Sequence, residues 1–353
     1  VIRWVLGVGI LMCCALAAAQ SRAPSVVFLN PGFSDEPFWI DYSRYMQDAA
    51  DDLGIELTVL YGERDLTRML SNARQVLEGE HPDYLIFTNE QFQGPVLLRL
   101  FEGTQVGLFA LHSTLTEEQQ ALIGGSRERY RNWLGSLVPN DEEAGYLMGR
   151  ELIALSRGKP ADLLAFAGVK QTPSSVLRLA GLQRALNEAP HVRLVQAVHG
   201  EWLEQRAYEQ AVSLLPRYPE VSLVWSANDA MAFGVMQAAA EQNRKLHYSA
   251  VNNSARVLQA RMDGQIEVLV SGHFLLGACA MVMLGDHARG LDFIERGGKD
   301  QIARLLRTVD GRQSQQLLRR LGQADLEMDF RQFSAVSQPQ RQGYDCSIAS
   351  LLD

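Results

Sequence analysis

The stretch VWSANDAMAFG, residues 224–234, decides how the rest of the chain is read. It continues an apolar run that begins at Val221 and stops at Ser226, the length of one buried strand. Asn228 and Asp229 follow. Residues of these types favour helix N-termini, because their short side chains accept from backbone N–H groups that the helix leaves unpartnered. A helical pattern then covers residues 230–242. Strand, polar turn and helix in this order form one step of a parallel sheet covered by helices.

The same step recurs on both sides of this stretch. Strand-like runs at 26–29, 55–60, 84–87 and 106–111 alternate with helical patterns at 38–53, 66–77 and 95–101. In the first of these helices Phe38, Tyr42, Met46, Ala49 and Leu53 share one face, and Gly54 ends it. Residues 114–133 interrupt the rhythm, with TEEQQ and RERYR around a glycine pair, and read as an excursion before a second half begins. That half has helices at 142–155, 174–187 and 203–215, strands at 163–166 and 192–198, the quoted strand and helix, and a short strand at 248–251. The expected fold is therefore α/β, with two doubly wound parallel-sheet lobes and a cleft between them.

The amino-terminal residues VIRWVLGVGILMCCALAAAQS carry one cation, Arg3, then an apolar stretch from Trp4 to Leu16 and small residues Ala17 and Ala19. This pattern reads as a secretory signal peptide over residues 1–19, cleaved near Ala19, with the mature protein soluble in the periplasm. The apolar stretch is shorter than the roughly 20 residues a spanning helix needs. Loss of residues 1–19 removes one positive charge and no negative ones, so the formal net charge of −8 becomes −9. Such an acidic balance speaks against nucleic acid and anionic membrane as partners. Cys279 and Cys346 remain after cleavage. Two cysteines are too few to staple a chain of this size, and Cys279 lies in an apolar helical stretch where a buried free thiol is the ordinary expectation, a disulfide being the alternative.

In open parallel sheets, ligands gather beyond the carboxyl ends of the strands. The residues so placed here are those at 30–39, Thr88 and Asn89 with the two after them, His112 and Ser113, 169–172, 200–202, Asn228 with Asp229, and Asn252 with Asn253. Most are polar or aromatic. Aromatic faces stack on the C–H faces of sugars, and Asn, Asp, Glu and Arg hydrogen-bond neighbouring hydroxyls, so the set suits a neutral polyol.

The quoted stretch resembles the strand and Asn-Asp-x-Met-Ala-x-Gly helix start of the type I periplasmic binding proteins, the family that includes ribose-binding protein. EPFW at 36–39, Arg-x-x-Gly at 178–181, Trp202, and ARMDGQIEVLVSGHFLLG at 260–277 resemble further parts of the family in the same order. The resemblance implies a three-segment hinge, with crossings near 138–140, 271–274 and 330–333. The lobes would then be residues 20–137 plus 274–329, and residues 138–273 plus 330–353. It also implies that Phe38, Trp39 and Trp202 surround the ligand ring, that Glu36 stands where a ligand-binding Asn does, and that Arg178 and Asn228 bind hydroxyls from the second lobe. Asn252 falls where sugar binders often carry Asp, His112 where they often carry Asp followed by Arg, and His273 where ribose-binding protein has a Gln at the hinge. With those carboxylates replaced, the resemblance carries a hydroxyl-rich ligand but not ribose itself. Residues 290–326, rich in Arg and Gln, are expected to form a solvated helical appendage.

Local readings stand beside these roles. Asn228 could simply cap its helix, Asp229 could cap it or brace the site, and Arg178 could be a surface cation. His112 and His273 have no second His or Cys at metal-ligand spacing, so neither a metal nor a cofactor is expected. Ser174 and Ser175 lack a Gly-x-Ser-x-Gly context, and Asp35 with Glu36 are adjacent in one loop, unlike carboxylates that face each other across a glycosidic bond. The expected function is binding without catalysis. A monomer takes up a small sugar or polyol, closes by hinge motion, and presents it to an inner-membrane ABC permease. The alternative is a receptor that partners a membrane histidine kinase or cyclase, as the autoinducer-2 receptor does.

Overall fold

A computed structural model of the protein describes residues 22–322 and 328–352. The expected signal peptide lies outside the described residues. The first lobe opens with β1 (Ser25–Asn30), α1 (Pro37–Leu53), β2 (Glu56–Tyr61), α2 (Leu66–Glu78), β3 (Tyr84–Phe87), α3 (Gly94–Leu100), β4 (Gly107–Leu111), α4 (Glu117–Ile123) and β5 (Trp133–Pro139). The second lobe follows with α5 (Asp141–Ala154), β6 (Ala161–Ala167), α6 (Pro173–Asn187), β7 (Val192–His199), α7 (Glu204–Arg217), β8 (Val221–Ser226), α8 (Asp229–Glu241), β9 (His247–Val251), α9 (Ala255–Met262) and β10 (Val268–Ser271). After it come α10 (Leu276–Ala288), β11 (Asp300–Ala303), β12 (Arg307–Val309), α11 (Gly311–Leu321) and α12 (Ala349–Leu352).

Two six-stranded sheets result, ordered β11-β5-β4-β3-β1-β2 and β12-β10-β9-β8-β6-β7. All pairings are parallel except that of β12 with β10. The doubly wound α/β architecture expected from the alternating pattern is the one observed. Local chemistry sets the element ends. Pro37 occupies the first turn of α1, where its missing N–H costs nothing, and Gly54 closes the helix with φ 66°, a left-handed conformation that glycine takes without penalty.

Three expectations are corrected. Residues 290–326 are not a solvated appendage: β11 extends the first sheet, β12 extends the second, and the amphipathic α11 buries Leu317 and packs against α9. The excursion expected over 114–133 ends inside the sheet, because Trp133, fully buried, begins β5. The third crossing falls at 304–306, between β11 and β12, and not at 330–333. Residues Phe330–Phe333 instead pack on α1 and α10, returning the tail to the first lobe.

That return also joins the two cysteines. Cys279, buried in α10, and Cys346 are linked as a disulfide with their Cα atoms 5.8 Å apart, in place of the free thiol expected from the helix alone. The physical reason is that Asp286, also in α10 and fully buried, accepts from Ser334 Oγ at 2.5 Å, Ala335 N at 2.6 Å and Tyr344 OH at 3.1 Å. These bonds draw the tail onto the helix and bring Cys346 beside Cys279. Every residue of α10 from Leu276 to Asp286 is buried.

Candidate ligand-binding site

The carboxyl ends of both sheets face one cavity between the lobes. It is lined by Glu36, Phe38, Trp39, Arg64, Thr88, Glu90, His112, Ser113, Thr172, Ser174, Arg178, Trp202, Asn228, Val251, Asn252 and His273. The space among these side chains not filled by protein, its mouth included, is about 590 Å³. Of the candidate ligand residues named individually from the strand ends and the family resemblance, Asn89, Asp229 and Asn253 do not line it.

Two tryptophans face the cavity from opposite lobes and are seated alike. Trp39 lies against Gly32, just after β1, and Trp202 lies against Gly168, just after β6. A Cβ on either glycine would overlap the indole. The backbone of Trp202 is left-handed, with φ 68°, and Asn228 Nδ2 donates to its carbonyl at 3.0 Å. On the first-lobe side, Phe38 stacks on His273 at 4.8 Å between centroids, and His112 lies 5.7 Å from Phe38 and 5.4 Å from Trp39. His112 also has a left-handed backbone, φ 68°. Non-glycine residues held there cost free energy that the surrounding structure must offset, and such positions concentrate at functional sites.

The polar groups divide into those committed to the scaffold and those left free. Arg178 is buried. Its Nε donates to Asp141 Oδ1 at 2.6 Å and its Nη1 to the Ala227 carbonyl at 2.7 Å, which leaves Nη2 uncommitted at the cavity wall. It is therefore no surface cation. Asn228 Oδ1 accepts from Met231 N at 2.9 Å, so this residue both caps α8 and lines the cavity. Asp229 braces the site from behind, accepting from Asn252 Nδ2 at 2.8 Å and Ser254 Oγ at 2.5 Å. Glu36 is likewise occupied: its two oxygens accept from Arg64 Nη2 and Nε at 2.5 and 3.1 Å. By contrast, Thr88 Oγ1, His112 Nδ1 and His273 Nδ1 are buried and have no partner among the described residues.

Asn89 is turned away from the cavity. Its Oδ1 accepts from Gly94 N at 2.8 Å, and its Nδ2 donates to Thr114 O and Gln119 Oε1 at 2.9 and 2.7 Å. An asparagine at a strand end can satisfy its own loop as readily as a ligand, and here the loop wins. Sequence reasoning missed Arg64, while Glu90 fell within the strand-end window after Thr88 and Asn89 without being given a role of its own. Arg64 lies a few residues beyond the end of β2, and a window around that strand end would have included it.

Burial governs the titration of the site. Desolvation, reinforced by the nearby Arg178 cation, lowers His112 to about 3. Desolvation, Arg178 and His112 together hold His273 well below the ordinary imidazole value. Both rings are neutral at pH 7. Asp141 is pulled upward by burial, against the opposing pull of Arg178 and Ser174. No group of three or more His, Cys, Asp or Glu able to hold a metal ion occurs among the described residues. Nor is any helix among them long and apolar enough to cross a membrane.

Comparison with known proteins points one way. Residues 136–292 match the sequence profile of the periplasmic binding protein domain. A crystal structure described as a periplasmic sugar-binding protein from Pseudomonas fluorescens is 46% identical and superimposes with a TM-score of 0.86, covering 93% of this chain and 99% of that one. The D-allose-binding periplasmic protein of Escherichia coli (strain K12) is 23% identical over 242 residues, 67% of this chain and 73% of its own. The ribose import binding protein of Haemophilus influenzae is 21% identical over 254 residues, 72% and 82% respectively.

Proposed function

This chain belongs to the type I periplasmic binding protein family, and from that premise we propose that it is a solute-binding protein for a monosaccharide or a similar polyol. The observation that carries the reading is the cavity itself. Phe38 and Trp39 from one lobe and Trp202 from the other supply flat apolar faces, while Arg178, Thr88 and the two neutral histidines supply polar atoms at its rim. This combination matches the alternation of C–H faces and hydroxyls on a sugar ring. The similarity to proteins that bind allose and ribose supports the same class of ligand.

Binding proceeds without turnover in this reading. The ligand enters between the lobes, hinge motion at the interlobe segments encloses it, and the closed form is what an inner-membrane ABC permease recognises. The protein acts as an exported monomer in the periplasm, a compartment that sustains a Cys279–Cys346 bridge. Thermal-shift and calorimetric titration against a sugar and polyol panel tests the proposal. A saturable 1:1 complex from which the sugar is recovered unchanged is expected, and no response to any panel member would refute it.

A further inference from the structure

Resting on the sugar-binding reading, we propose that Glu90 is a specificity-determining acceptor: its carboxylate takes hydroxyl protons from a neutral ligand and keeps anionic sugars out of the cavity.

The charges around the cavity nearly cancel in pairs. Arg178 is matched by Asp141 at 2.6 Å, and Arg64 by Glu36 at 2.5 Å. His112 and His273 are neutral. Every cation that lines the cavity is thus already paired with a carboxylate, so no net positive charge is left to compensate a phosphate or a uronate, and the free Arg178 Nη2 serves as a donor to neutral hydroxyls. Glu90 is the exception. It lines the cavity, and its carboxylate has no hydrogen-bond partner among the described residues. The charged and titratable groups that share the cavity with it are Glu36 and Arg64 from the first lobe's loops, His112 after β4, His273 before α10, and Arg178 on α6.

The structure also holds Glu90 in place. The three hydrogen bonds of Asn89 fix the turn that carries it, and Gln119 Nε2 donates to the Phe92 carbonyl in the same turn at 2.8 Å. On the facing loop, Arg64 N is tied to the Pro31 carbonyl at 3.0 Å, and Arg64 is left-handed at φ 52°. Asn89, expected to touch ligand, is in this arrangement the positioning residue for its neighbour. Since Arg64 engages both oxygens of Glu36, and Phe33 N donates to one of them as well, Glu90 is the cavity carboxylate with neither oxygen engaged, open to ligand hydroxyls.

Titration supports the assignment. Desolvation, opposed by Arg64 and reinforced by Glu36, raises Glu90 to about 7. If the ligand binds the carboxylate form, apparent affinity scales with the ionised fraction, which rises about tenfold between pH 6 and pH 8.

The test is calorimetric titration of the full protein and of Glu90→Gln with four neutral sugars (D-allose, D-ribose, D-galactose, L-arabinose) and two anionic ones (D-galacturonate, D-ribose 5-phosphate) at pH 6, 7 and 8. The expected result is binding of a neutral sugar, with affinity rising about tenfold from pH 6 to pH 8, and anionic sugars at least about 100-fold weaker. Glu90→Gln should bind the neutral sugar at least about tenfold more weakly, with no rise across this pH range. An anionic sugar that binds as tightly as its neutral counterparts, or a Glu90→Gln protein that keeps the affinity and pH profile of the parent, overturns the assignment while leaving sugar binding intact. If no sugar of either charge binds, the sugar-binding reading fails and this one falls with it.

Discussion

Arg178 Nε and Asp141 Oδ1 are 2.6 Å apart, both side chains almost wholly buried, with Asp141 at the first residue of α5 where the chain enters the second lobe. The same guanidinium lies 5.7 Å from the Trp202 ring and lines the cavity. One ion pair therefore couples the interlobe segment to the ligand wall. Removing one partner strands the other as a buried charge, which costs about 3–5 kcal/mol, whereas removing both is far milder. Arg178→Met should lower stability by about that amount and abolish ligand binding. Adding Asp141→Asn to it should restore much of the stability but not the binding. Urea unfolding combined with ligand titration separates the two effects.

The seat of Trp202 on Gly168 yields a second prediction. Gly168→Ala places a methyl group where the indole now lies, so the ring must move. Ligand affinity should fall about tenfold or more, a loss of about 1.4 kcal/mol, with far-ultraviolet circular dichroism unchanged and tryptophan emission shifted. Unchanged affinity would mean that Trp202 does not form the ligand's stacking face.

The disulfide closes a loop spanning a sequence separation of 67 residues. That loop contains β11, β12, α11 and the return of the tail to α10. Loop-closure entropy gives a link across this separation about 4 kcal/mol. Cys279→Ala with Cys346→Ala should lower the midpoint of urea unfolding accordingly, and a reductant should shift the parent protein but not the double variant. If reductant shifts both equally, the link is not what stabilises the tail.

Acid should weaken the fold through the two cavity histidines. Their folded-state pKa values lie below 6.5, so under acid the unfolded chain binds more protons than the folded one. Their contribution to stability is complete above about 6.5 and is lost as pH falls toward 3, with a slope of up to about 1.4 kcal/mol per pH unit for each ring. Thermal denaturation between pH 7 and pH 5 should show the decline, and His273→Gln should flatten it. A parent protein with equal stability at both ends of that range would contradict the neutral, buried assignment.

The sequence by itself determined the architecture. Period-two and period-3.6 apolar patterns, capped by residues such as Asn228 and Gly54, mark strands and helices through local sterics and hydrogen bonding, and parallel sheets then require their ligands at strand ends. That is why Phe38, Trp39, His112 and Trp202 could be found without coordinates, whereas Arg178 was expected at the ligand only from the resemblance of Arg178–Gly181 to the family's Arg-x-x-Gly. What each polar atom does was decided only by the tertiary structure, because a hydrogen bond to the scaffold and one to a ligand demand the same residue type. Asn89 and Glu36 spend their acceptors on Gly94 and Arg64, while Glu90, given no role of its own among the strand-end residues, is left with its oxygens free. The tail followed the same rule. Nothing local to Cys279 or Cys346 brings them together; the buried carboxylate of Asp286 does, by accepting three hydrogen bonds from a segment about 50 residues away.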